Sequence, residues 1–437
     1  MVYRYETADD KTDPSMGDNP PSTDRRCDRN GPAAYAGLMI EFTPSDMAHG
    51  GAAIGRIDGK AHFVDGAMPG ELVRGDVVQD KGAWARVALQ EVLQPSPLRV
   101  APPCPHFSQC GGCQWQFADY PTQLEWKQSI VASQLAHLGG LDDPPIAPAV
   151  APGPEYGYRN RMDFSVLDGA PALTERRSHT LVPISECLLL DPVLARVYDN
   201  LTDLGEARAV TLRMSTTTGS VLAVIRGPVP DGAEAWGCGV SRRDRSGVHA
   251  EIGSGDISET VAGAELRITG DAFFQSNIAG AETLVALVAA ALEPQSGETL
   301  LDAYAGGGLF SVTVGRKASA VIAVEANGLG VFDLRHNLAQ ADIDHRVVKG
   351  AVEDAAIGER WDTAVVDPPR EGLRAAGVAA VTAGKPRSIA YVSCDPASLA
   401  RDVRHLDDTG YQLELATPVD LFPQTFHIET VAQFVRK

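Results

Sequence analysis

The stretch LLDAYAGGGLF, residues 300–310, carries the pattern that decides the fold. An apolar run of strand type leads directly into three consecutive glycines, Gly306 to Gly308, and then into a helical pattern. Glycines at the end of a strand let the backbone pass close to a bound ligand. Similar apolar runs follow, most of them separated by helical stretches: AVIAVEAN (320–327), WDTAVVDPPR (361–370) and RSIAYVSCDP (387–396). This alternation predicts an α/β domain with a largely parallel sheet over residues 271–437.

Acidic residues at the ends of two of these strands indicate a nucleotide-like cofactor. Glu325 ends the second strand, nineteen residues after Gly306, where a carboxylate can accept hydrogen bonds from both ribose hydroxyls of an adenosine-type cofactor. A dinucleotide fits the same pattern, because a glycine-rich turn alone does not separate the two. Asp367 begins Asp-Pro-Pro-Arg, a stiff turn that carries an acid over the strand ends. This combination resembles S-adenosylmethionine-dependent methyltransferases and not dehydrogenases.

A cysteine and a glutamate are candidates for covalent chemistry. Cys394, in YVSCDPASLARD (391–402), follows an apolar strand, where the active sites of such folds collect. Glu429 lies between apolar residues in DLFPQTFHIETVAQF (420–434), a setting that suits a general base. A lone cysteine after a strand would more often be buried and inert. The Asp-Pro that follows Cys394 and the candidate partner Glu429 favour a nucleophile.

The composition is that of a globular protein, and 437 residues have room for about three domains. Residues 1–36 are rich in Asp, Pro, Ser and Asn and lack the apolar core of a signal peptide. We therefore expect a disordered extension there and a cytoplasmic location. Seven cysteines, an odd number in a long chain, argue against a disulfide framework.

The formal net charge of −19 opposes binding to nucleic acid, which needs Lys and Arg. Basic residues do cluster locally in the middle of the chain, at YRNRM (158–162), ERRSH (175–179) and SRRDR (241–245). Solvated surface is the ordinary interpretation of such clusters. A basic face can nevertheless coexist with an acidic remainder, because net charge is a sum over the whole molecule.

Two further domains are expected before residue 271. Residues 37–96 alternate apolar stretches with turn signals such as IDGK (57–60) and VDGAMPGE (64–71), which predicts a small closed barrel of OB type. Residues 97–270 are expected to form a central domain of antiparallel strands, with a helix in YPTQLEWKQSIVASQLAHL (120–138).

The stretch CPHFSQCGGCQW (104–115) brings three thiols close together in the sequence, those of Cys104, Cys110 and Cys113. In a reducing compartment, clustered cysteines are expected to be metal ligands or catalysts. The spacing leaves open which metal they bind and which residue is the fourth ligand.

Several of these motifs together resemble the RNA uracil-5-methyltransferase family. The matching stretches are DAYAGGG, DPPREG, YVSCDP and DLFPQTFHIE, with CPHFSQCGGCQWQ similar to the family's iron–sulfur motif and GGAAIGRIDGKAHFVDGAMPGE similar to its TRAM domain. The likeness covers residues 37–437. Ala305 stands where many members have Cys, and Leu309 where a polar residue can occur, so the cofactor contacts of the glycine loop are left open.

The resemblance implies a Rossmann-like methyltransferase that modifies RNA through a covalent adduct. Cys394 would add to C6 of uracil, C5 would then take the methyl group of S-adenosylmethionine, and Glu429 would remove the C5 proton. The residues expected to bind the cofactor lie in the glycine loop, at strand ends and in DAFFQSN (271–277): Gln275, Tyr304, Gly306, Gly308, Glu325 and Asp367.

The resemblance also supplies a fourth thiol, Cys187 in LVPISECLLLD, and with it a [4Fe–4S] cluster held by Cys104, Cys110, Cys113 and Cys187. Zinc is the alternative, since four thiolates also suit a tetrahedral zinc ion. A radical S-adenosylmethionine enzyme fits less well, because its three-cysteine motif leaves one iron open and would not explain the nucleophile and base. Cys27 and Cys238 have no evident partner in the sequence.

Other functions are distinguished by particular residues. RNA cytosine-5-methyltransferases use similar covalent chemistry but carry a second cysteine after the proline of the fourth-strand motif, where this chain has Asp-Pro-Pro-Arg. An RNA-binding protein with an inactive methyltransferase domain is disfavoured by the intact Cys394 and Glu429. The expected target is 23S ribosomal RNA, with the T-loop of transfer RNA as the alternative. We expect a monomer that does not bind a membrane.

Overall fold

The computed structural model of the chain describes residues 37–358 and 360–437. The extension predicted for residues 1–36, which includes Cys27, lies outside the described residues. The described residues divide into two compact units, one of residues 37–46 with 52–96 and the other of residues 47–51 with 97–437. A further domain boundary at residue 270, inside the second unit, stays a prediction.

Short strands separated by tight turns form the sheet of the first unit. Its strands are β1 Met39–Phe42, β2 Asp46–Met47, β3 Ala53–Ile57, β4 Lys60–Val64, β5 Leu72–Asp80 and β6 Trp84–Gln94. Asp58 and Gly59, with φ of 50° and 81°, turn the chain between Ile57 and the opposing Lys60, which confirms the hairpin predicted at IDGK. The strand order is β1-β5-β6-β4-β3-β2. Both ends of this order therefore belong to one chain segment, residues 39–47.

The second unit contains, after α1, a sheet that is antiparallel except for one pair, β11 with β12. Its order is β13-β12-β11-β10-β7-β8-β9. The strands are β7 Arg161–Leu167, β8 Ala170–Thr174, β9 Leu181–Pro183, β10 Ala209–Met214, β11 Val221–Arg226, β12 Gly239–Asp244 and β13 Gly247–Ile252. β10 is buried along its whole length, so this sheet is covered on both faces there. A separate antiparallel hairpin follows, β14 Asp256–Val261 with β15 Ala264–Thr269.

The sheet after residue 298 is parallel over five strands, which confirms the prediction from the apolar runs. Its strands are β16 Thr299–Ala303, β17 Ala320–Glu325, β18 His345–Lys349, β19 Thr363–Val366, β20 Ser388–Ser393, β21 Tyr411–Val419 and β22 Glu429–Arg436. The order is β18-β17-β16-β19-β20-β22-β21, with β22 antiparallel to both of its neighbours. The order changes direction between β16 and β19, and open α/β sheets bind ligands at such a point.

The helices begin at caps that the sequence supplies. The helices of the described residues are α1 Tyr120–His137, α2 Pro192–Asp199, α3 Ile278–Leu292, α4 Leu309–Thr313, α5 Gly328–Gln340, α6 Arg374–Thr382 and α7 Pro396–Asp408. Asp119, Asp191 and Asp395 accept hydrogen bonds from backbone N–H groups at the starts of α1, α2 and α7, each with a proline in the first turn. None of the helices in this part of the chain is long and apolar enough to cross a membrane.

Candidate active site

The ends of β20 and β22 bring Cys394 and Glu429 to one edge of the sheet. The two strands are antiparallel, with Ser393 opposite Thr430. Cys394, which follows Ser393, therefore comes opposite Glu429, which precedes Thr430. The cysteine is half-buried, and Glu429 is only 5 % exposed. Asp367, which directly follows β19, faces both groups, since its charge raises the pKa of each. Three residues predicted from separate motifs thus share this edge.

The environment of this edge favours the protonated forms of its acids. Burial raises the pKa of the Cys394 thiol, the charges of Glu429 and Asp367 raise it further, and the Arg370 guanidinium opposes them. Burial also raises the pKa of Glu429 well above its usual range, with Asp367 adding to the rise and Arg370 again opposing it. A raised pKa makes the Glu429 carboxylate a stronger base than that of an exposed glutamate. A cation that enters beside these groups lowers their pKa values and favours their ionised forms.

The loop before Glu429 is anchored by the start of the second unit. Lys127 of α1, fully buried, donates to Asp420 Oδ1 at 2.5 Å. Farther along the loop, the Gln424 carbonyl accepts from the backbone N–H of Gln114 at 2.9 Å. Gln424 has a φ of +70°, in the left-handed region that residues other than glycine rarely adopt. These contacts fix the approach of the chain to β22 and hence the position of Glu429.

The glycine loop after β16 is tied to the end of β17 by Glu325. One carboxylate oxygen accepts from Gly306 N at 2.7 Å, and the other accepts from Asn327 N at 2.5 Å. Gly308 has a φ of +95°, and a Cβ at this position would lie 2.9 Å from the side chain of Leu334. Only glycine fits there. Each carboxylate oxygen has a second lone pair, so Glu325 can hold the loop and still accept from a ligand.

Two further polar residues lie at the end of β16. Tyr304 has a φ of +66° and donates from its hydroxyl to Glu353 Oε1 at 2.6 Å. Asp302, fully buried within the strand, accepts from Ser311 Oγ at 2.6 Å, and no donor among the described residues reaches its other oxygen. Burial raises the pKa of Asp302 to about 7, Ser311 opposes the rise and Glu325 adds to it. The sequence analysis did not single out Asp302, although an acid inside an apolar strand was a visible signal.

Gln275 is buried in the loop between β15 and α3. Two arginines of the central sheet hold this loop through one carbonyl, that of Ala272. Arg161 Nη1 donates to it at 2.8 Å and Arg213 Nη2 at 2.5 Å. The two arginines are cross-strand neighbours on β7 and β10. Nothing in the sequence connects them with the loop, which is far away along the chain.

Asp402 of α7 holds the turn that follows β19. Its carboxylate accepts from Leu373 N at 2.6 Å, from Arg374 N at 3.0 Å and from the Tyr391 hydroxyl at 2.8 Å. Gly372 has a φ of +76°, and a Cβ there would lie 2.4 Å from Asp402 Oδ2. The turn therefore wraps closely around the carboxylate. This contact links the loop that carries Asp-Pro-Pro-Arg to the helix that follows Cys394.

The four cysteines of the predicted cluster are neighbours in the central part of the chain. Burial raises the pKa of Cys110, and the charges of Cys187 and Cys104 raise it further. Burial likewise raises the pKa of Cys113 to about 12, with Cys187 adding to the rise and the buried Arg159 opposing it. Within residues 37–358 and 360–437, however, no three His, Cys, Asp or Glu side chains are drawn together into a group that could hold a metal ion. The cluster stays a prediction.

Comparison with known proteins shows which family this chain is similar to. The family described as tRNA (uracil-5-)-methyltransferase matches residues 257–437. An uncharacterized RNA methyltransferase of Gloeobacter violaceus is 36% identical over 447 residues, which cover 92% of this chain and 98% of that protein. Another, of Streptomyces coelicolor, is 33% identical over 437 residues, which cover 92% of this chain and 93% of that protein.

A solved structure is similar at the level of the fold. The tRNA (uracil-54, C5)-methyltransferase of Pyrococcus abyssi, in complex with S-adenosyl-L-homocysteine, matches with a TM-score of 0.74 at 24% identity, over 91% of this chain and 100% of that chain. The sheet with its glycine loop is thus a methyltransferase α/β fold. The chain belongs to the RNA uracil-5-methyltransferase family and is an RNA (uracil-5-)-methyltransferase. This confirms the family that the motifs predicted.

Proposed function

We propose that this enzyme transfers a methyl group from S-adenosylmethionine to C5 of a uridine in RNA through a covalent bond between Cys394 and C6 of the base. The observation that carries the proposal is the placement of Cys394 and Glu429 at one edge of the sheet, with Asp367 beside them. A thiol and a buried carboxyl group in that arrangement provide a nucleophile and a base on the same side of a bound pyrimidine.

The order of steps follows from the chemistry of uracil, whose C5 is a poor nucleophile. The Cys394 thiolate forms a bond to C6, and the C5–C6 electron pair becomes part of an enolate that makes C5 nucleophilic. S-adenosylmethionine, when bound, supplies an electrophilic methyl group. After C5 has taken the methyl group, Glu429 accepts the C5 proton. The electron pair of that bond restores the C5–C6 double bond, and the bond between C6 and sulfur breaks.

We assign the cofactor to the switch point of the sheet. Glu325 would accept from the ribose hydroxyls, and Gly306 and Gly308 would let the backbone pass close to the cofactor. Gln275, Tyr304 and Asp367 are the remaining side chains that we assign to the cofactor pocket. The buried acids of this region suit a sulfonium ligand, since a positive charge beside Asp367 favours its ionised form.

We also propose that Cys104, Cys110, Cys113 and Cys187 hold a [4Fe–4S] cluster, with zinc as the alternative. The charges of these cysteines raise one another's pKa values. Four such thiols are a donor set that suits either an iron–sulfur cluster or a zinc ion. Methyl transfer to uracil moves no net electrons, so a bound cluster would support the structure or position RNA.

The first unit fits a TRAM barrel of OB type, because both edge strands of its sheet lie in the same chain segment, residues 39–47.

For the substrate we propose 23S ribosomal RNA, because the chain resembles those family members that have both a TRAM domain and an iron–sulfur motif and that often act on large-subunit ribosomal RNA, with the T-loop of transfer RNA as a second candidate. Two observations favour the second: the matching family is described as acting on tRNA, and the similar solved structure is named as a tRNA enzyme. Labelled S-adenosylmethionine and separated RNA fractions from cells that lack the protein would distinguish the two. Label in 23S RNA would support the first target, and label in the tRNA fraction the second.

The covalent mechanism is tested by variants of the two catalytic residues. Cys394→Ala should abolish both methylation and any covalent complex, because no methyl transfer is possible before C6 is attacked. Glu429→Gln should attack and methylate, then remain bound to RNA as an adduct that survives denaturing electrophoresis. The wild-type enzyme should be trapped in the same way by RNA that carries 5-fluorouracil.

A matched control is Cys238→Ala, which removes another partly buried thiol outside this edge. It should methylate as the wild type does. Normal turnover by Glu429→Gln, or an adduct formed by Cys394→Ala, would show that the two roles are assigned wrongly.

A further inference from the structure

A cavity of about 490 Å³ lies at the start of α5, beside the end of β18. The described residues that line it include basic and aromatic side chains but no Asp or Glu. We call this surface the α5 patch, and the lining residues that define it are Arg267, Phe332, Arg335, His336 and Lys349.

An aromatic ring lies open to solvent in the α5 patch. Phe332 is 56 % exposed, although burial of an aromatic side chain is favourable. Arg267 holds the ring from one side, because its guanidinium carbon lies 4.2 Å from the ring centroid and its Nη2 donates to the Phe332 carbonyl at 3.1 Å. The ring is thus already ordered, and a flat ligand can stack on it at little cost in entropy.

Two cations beside the ring have no acidic partner. Arg335 and His336 follow Phe332 by three and four residues on α5, so the three side chains share one face of the helix. Lys349 ends β18 and is exposed, as is Arg335. No carboxylate within residues 37–358 and 360–437 lies within ion-pair distance of either Arg335 or Lys349.

The acids nearest to the α5 patch are bound by other groups. Asp333 is only 1 % exposed and accepts from Arg267 Nε at 3.1 Å, so Arg267 is neutralised by its own partner. Glu325, the register partner of Lys349 on β17, is not part of the lining, and both of its oxygens accept from backbone N–H groups. The patch therefore presents two cations without an ion-pair partner, Arg335 and Lys349.

The α5 patch and Cys394 lie at the same edge of the sheet. Lys349 ends β18 and Cys394 follows β20, and both strands belong to the parallel part of the sheet. The order β18-β17-β16-β19-β20 puts four strand spacings between them, which is about 19 Å at about 4.8 Å per spacing. An RNA strand covers that distance with several nucleotides, since stacked nucleotides of one strand are about 3.4 Å apart.

We propose that the α5 patch binds a single-stranded segment of the substrate RNA, several nucleotides away from the target uridine. The inference rests on the proposed function, since it requires RNA at this edge of the sheet. A base stacks on Phe332, and Arg335 and Lys349 contact phosphates. A single strand fits the patch better than a duplex does, because the bases of a duplex are already stacked on one another.

The charge of the whole chain makes such a patch necessary. A protein with a net charge of −19 repels RNA at long range, so binding depends on places where cations are not neutralised by neighbouring acids. The ring adds an attraction that does not depend on charge. The two contributions can be measured separately, because salt weakens only the first.

The test of the cations measures RNA affinity as a function of salt. Arg335→Ala/Lys349→Ala is compared with the wild type and with Lys317→Ala/Lys385→Ala. This control removes two exposed lysines that precede β17 and β20, at the opposite edge of the sheet, and so makes the same change in net charge. The probe is a fluorescein-labelled oligouridylate of about 20 nucleotides, longer than the usual single-strand site, and its binding is followed by anisotropy.

Each phosphate contact to a single strand contributes about 0.7 to the slope of log affinity against log salt. Arg335→Ala/Lys349→Ala should therefore lose about 1.4 from that slope and bind about tenfold more weakly at about 0.15 M salt. Lys317→Ala/Lys385→Ala should retain the wild-type slope.

The ring is tested with the same probe. Phe332→Ala should bind about tenfold more weakly, because one stacked base is lost, and should keep the wild-type salt slope. Phe332→Tyr retains an aromatic face and should bind as the wild type does. Calorimetry should show wild-type affinity for S-adenosylmethionine in every variant, because no residue of the α5 patch is assigned to the cofactor.

The inference is wrong if the wild type does not bind the probe, or if the two double variants lose equal affinity, which would be an effect of overall charge. It is also wrong if Phe332→Ala binds as tightly as the wild type. Weaker binding of S-adenosylmethionine by the patch variants would assign the patch to the cofactor instead. Failure of the proposed function has a different result: the wild type binds the probe through the patch, yet no RNA fraction accepts a labelled methyl group.

Discussion

At the scale of single residues, Glu325 holds the glycine loop and is the residue that we assign to the cofactor ribose. Its carboxylate accepts from Gly306 N and Asn327 N, so it sets the shape of the glycine loop before any ligand arrives. A carboxylate that is already oriented loses little freedom when it accepts a ligand. In the proposed site, one side chain would thus both shape the loop and bind the ligand.

Glu325→Ala should weaken S-adenosylmethionine binding by about 1–3 kcal/mol, because hydrogen bonds to a charged acceptor are lost. Glu325→Gln retains an acceptor oxygen of the same reach and should lose less. Calorimetry on both variants measures the effect. Unchanged affinity in Glu325→Ala would mean that this carboxylate does not hold the ribose.

Asp302 makes stability depend on pH. Its folded-state pKa of about 7 lies above the ordinary value of 3.8, so its contribution is complete below about pH 4 and is lost as the pH rises through 7. At about 1.4 kcal/mol per pH unit, this group lowers the free energy of unfolding by about 4 kcal/mol between pH 4 and pH 8. Asp302→Asn should remove that part of the dependence.

Urea unfolding of the ligand-free protein at pH 4.5, 6 and 8 would show the difference between wild type and variant. Asp344→Asn, at an exposed aspartate, is the control and should follow the wild type. If the three proteins give parallel profiles, Asp302 titrates alike in the folded and unfolded states.

At the scale of elements, the position of Glu429 depends on contacts between distant segments. The pair of Lys127 and Asp420 joins α1 to the loop before β22 across 293 residues of sequence. Both side chains are shielded from solvent. Water therefore cannot solvate either charge if its partner is removed.

Asp420→Ala should lower the free energy of unfolding by about 3–5 kcal/mol, because it leaves the buried Lys127 ammonium uncompensated. The double variant Lys127→Met/Asp420→Leu should recover most of that loss. The exposed pair of Lys437 and Asp407 is the control, and Asp407→Ala should cost less than about 1 kcal/mol. Denaturant titration gives all four values. An equal loss in the two alanine variants would contradict the argument.

At the scale of the whole molecule, the second unit contains both the sheet that carries Cys394 and Glu429 and the cysteines of residues 104–187. The proposed cluster therefore belongs to the same compact unit as Cys394. Protein purified without oxygen should be brown and contain about four irons per chain. Cys187→Ala should lose much of the iron, whereas the control Cys238→Ala should keep it. Colourless protein with stoichiometric zinc would replace the iron–sulfur assignment with the zinc alternative.

Local patterns explain which features were predictable from the sequence. The parallel strands and the glycine loop each occupy a few consecutive residues. Each can therefore be predicted from its own apolar run or turn residues. Cys394 and Glu429 could be proposed because each follows or begins such a run. That they face each other depends on the antiparallel register of β20 and β22, which no local pattern encodes.

The features that sequence reasoning missed are formed by residues far apart in the chain. Arg161 and Arg213 meet the loop of Gln275 only because β7 and β10 are neighbours. Two of the basic clusters that the sequence did show, at residues 158–162 and 241–245, contain arginines already paired with acids of the same sheet or of its flanking loops.

The place of β22 in the sheet has a consequence for assembly. β20 and β21 are both made before β22, yet they are not neighbours, and β22 fills the gap between them. Until residues 429–436 insert, the sheet is open at that gap and Glu429 is not yet opposite Cys394. Closing the gap completes the hydrogen-bonded ladder and brings Glu429 to Cys394 in a single event. A partly folded chain therefore lacks this pairing, which forms only when β22 takes its place.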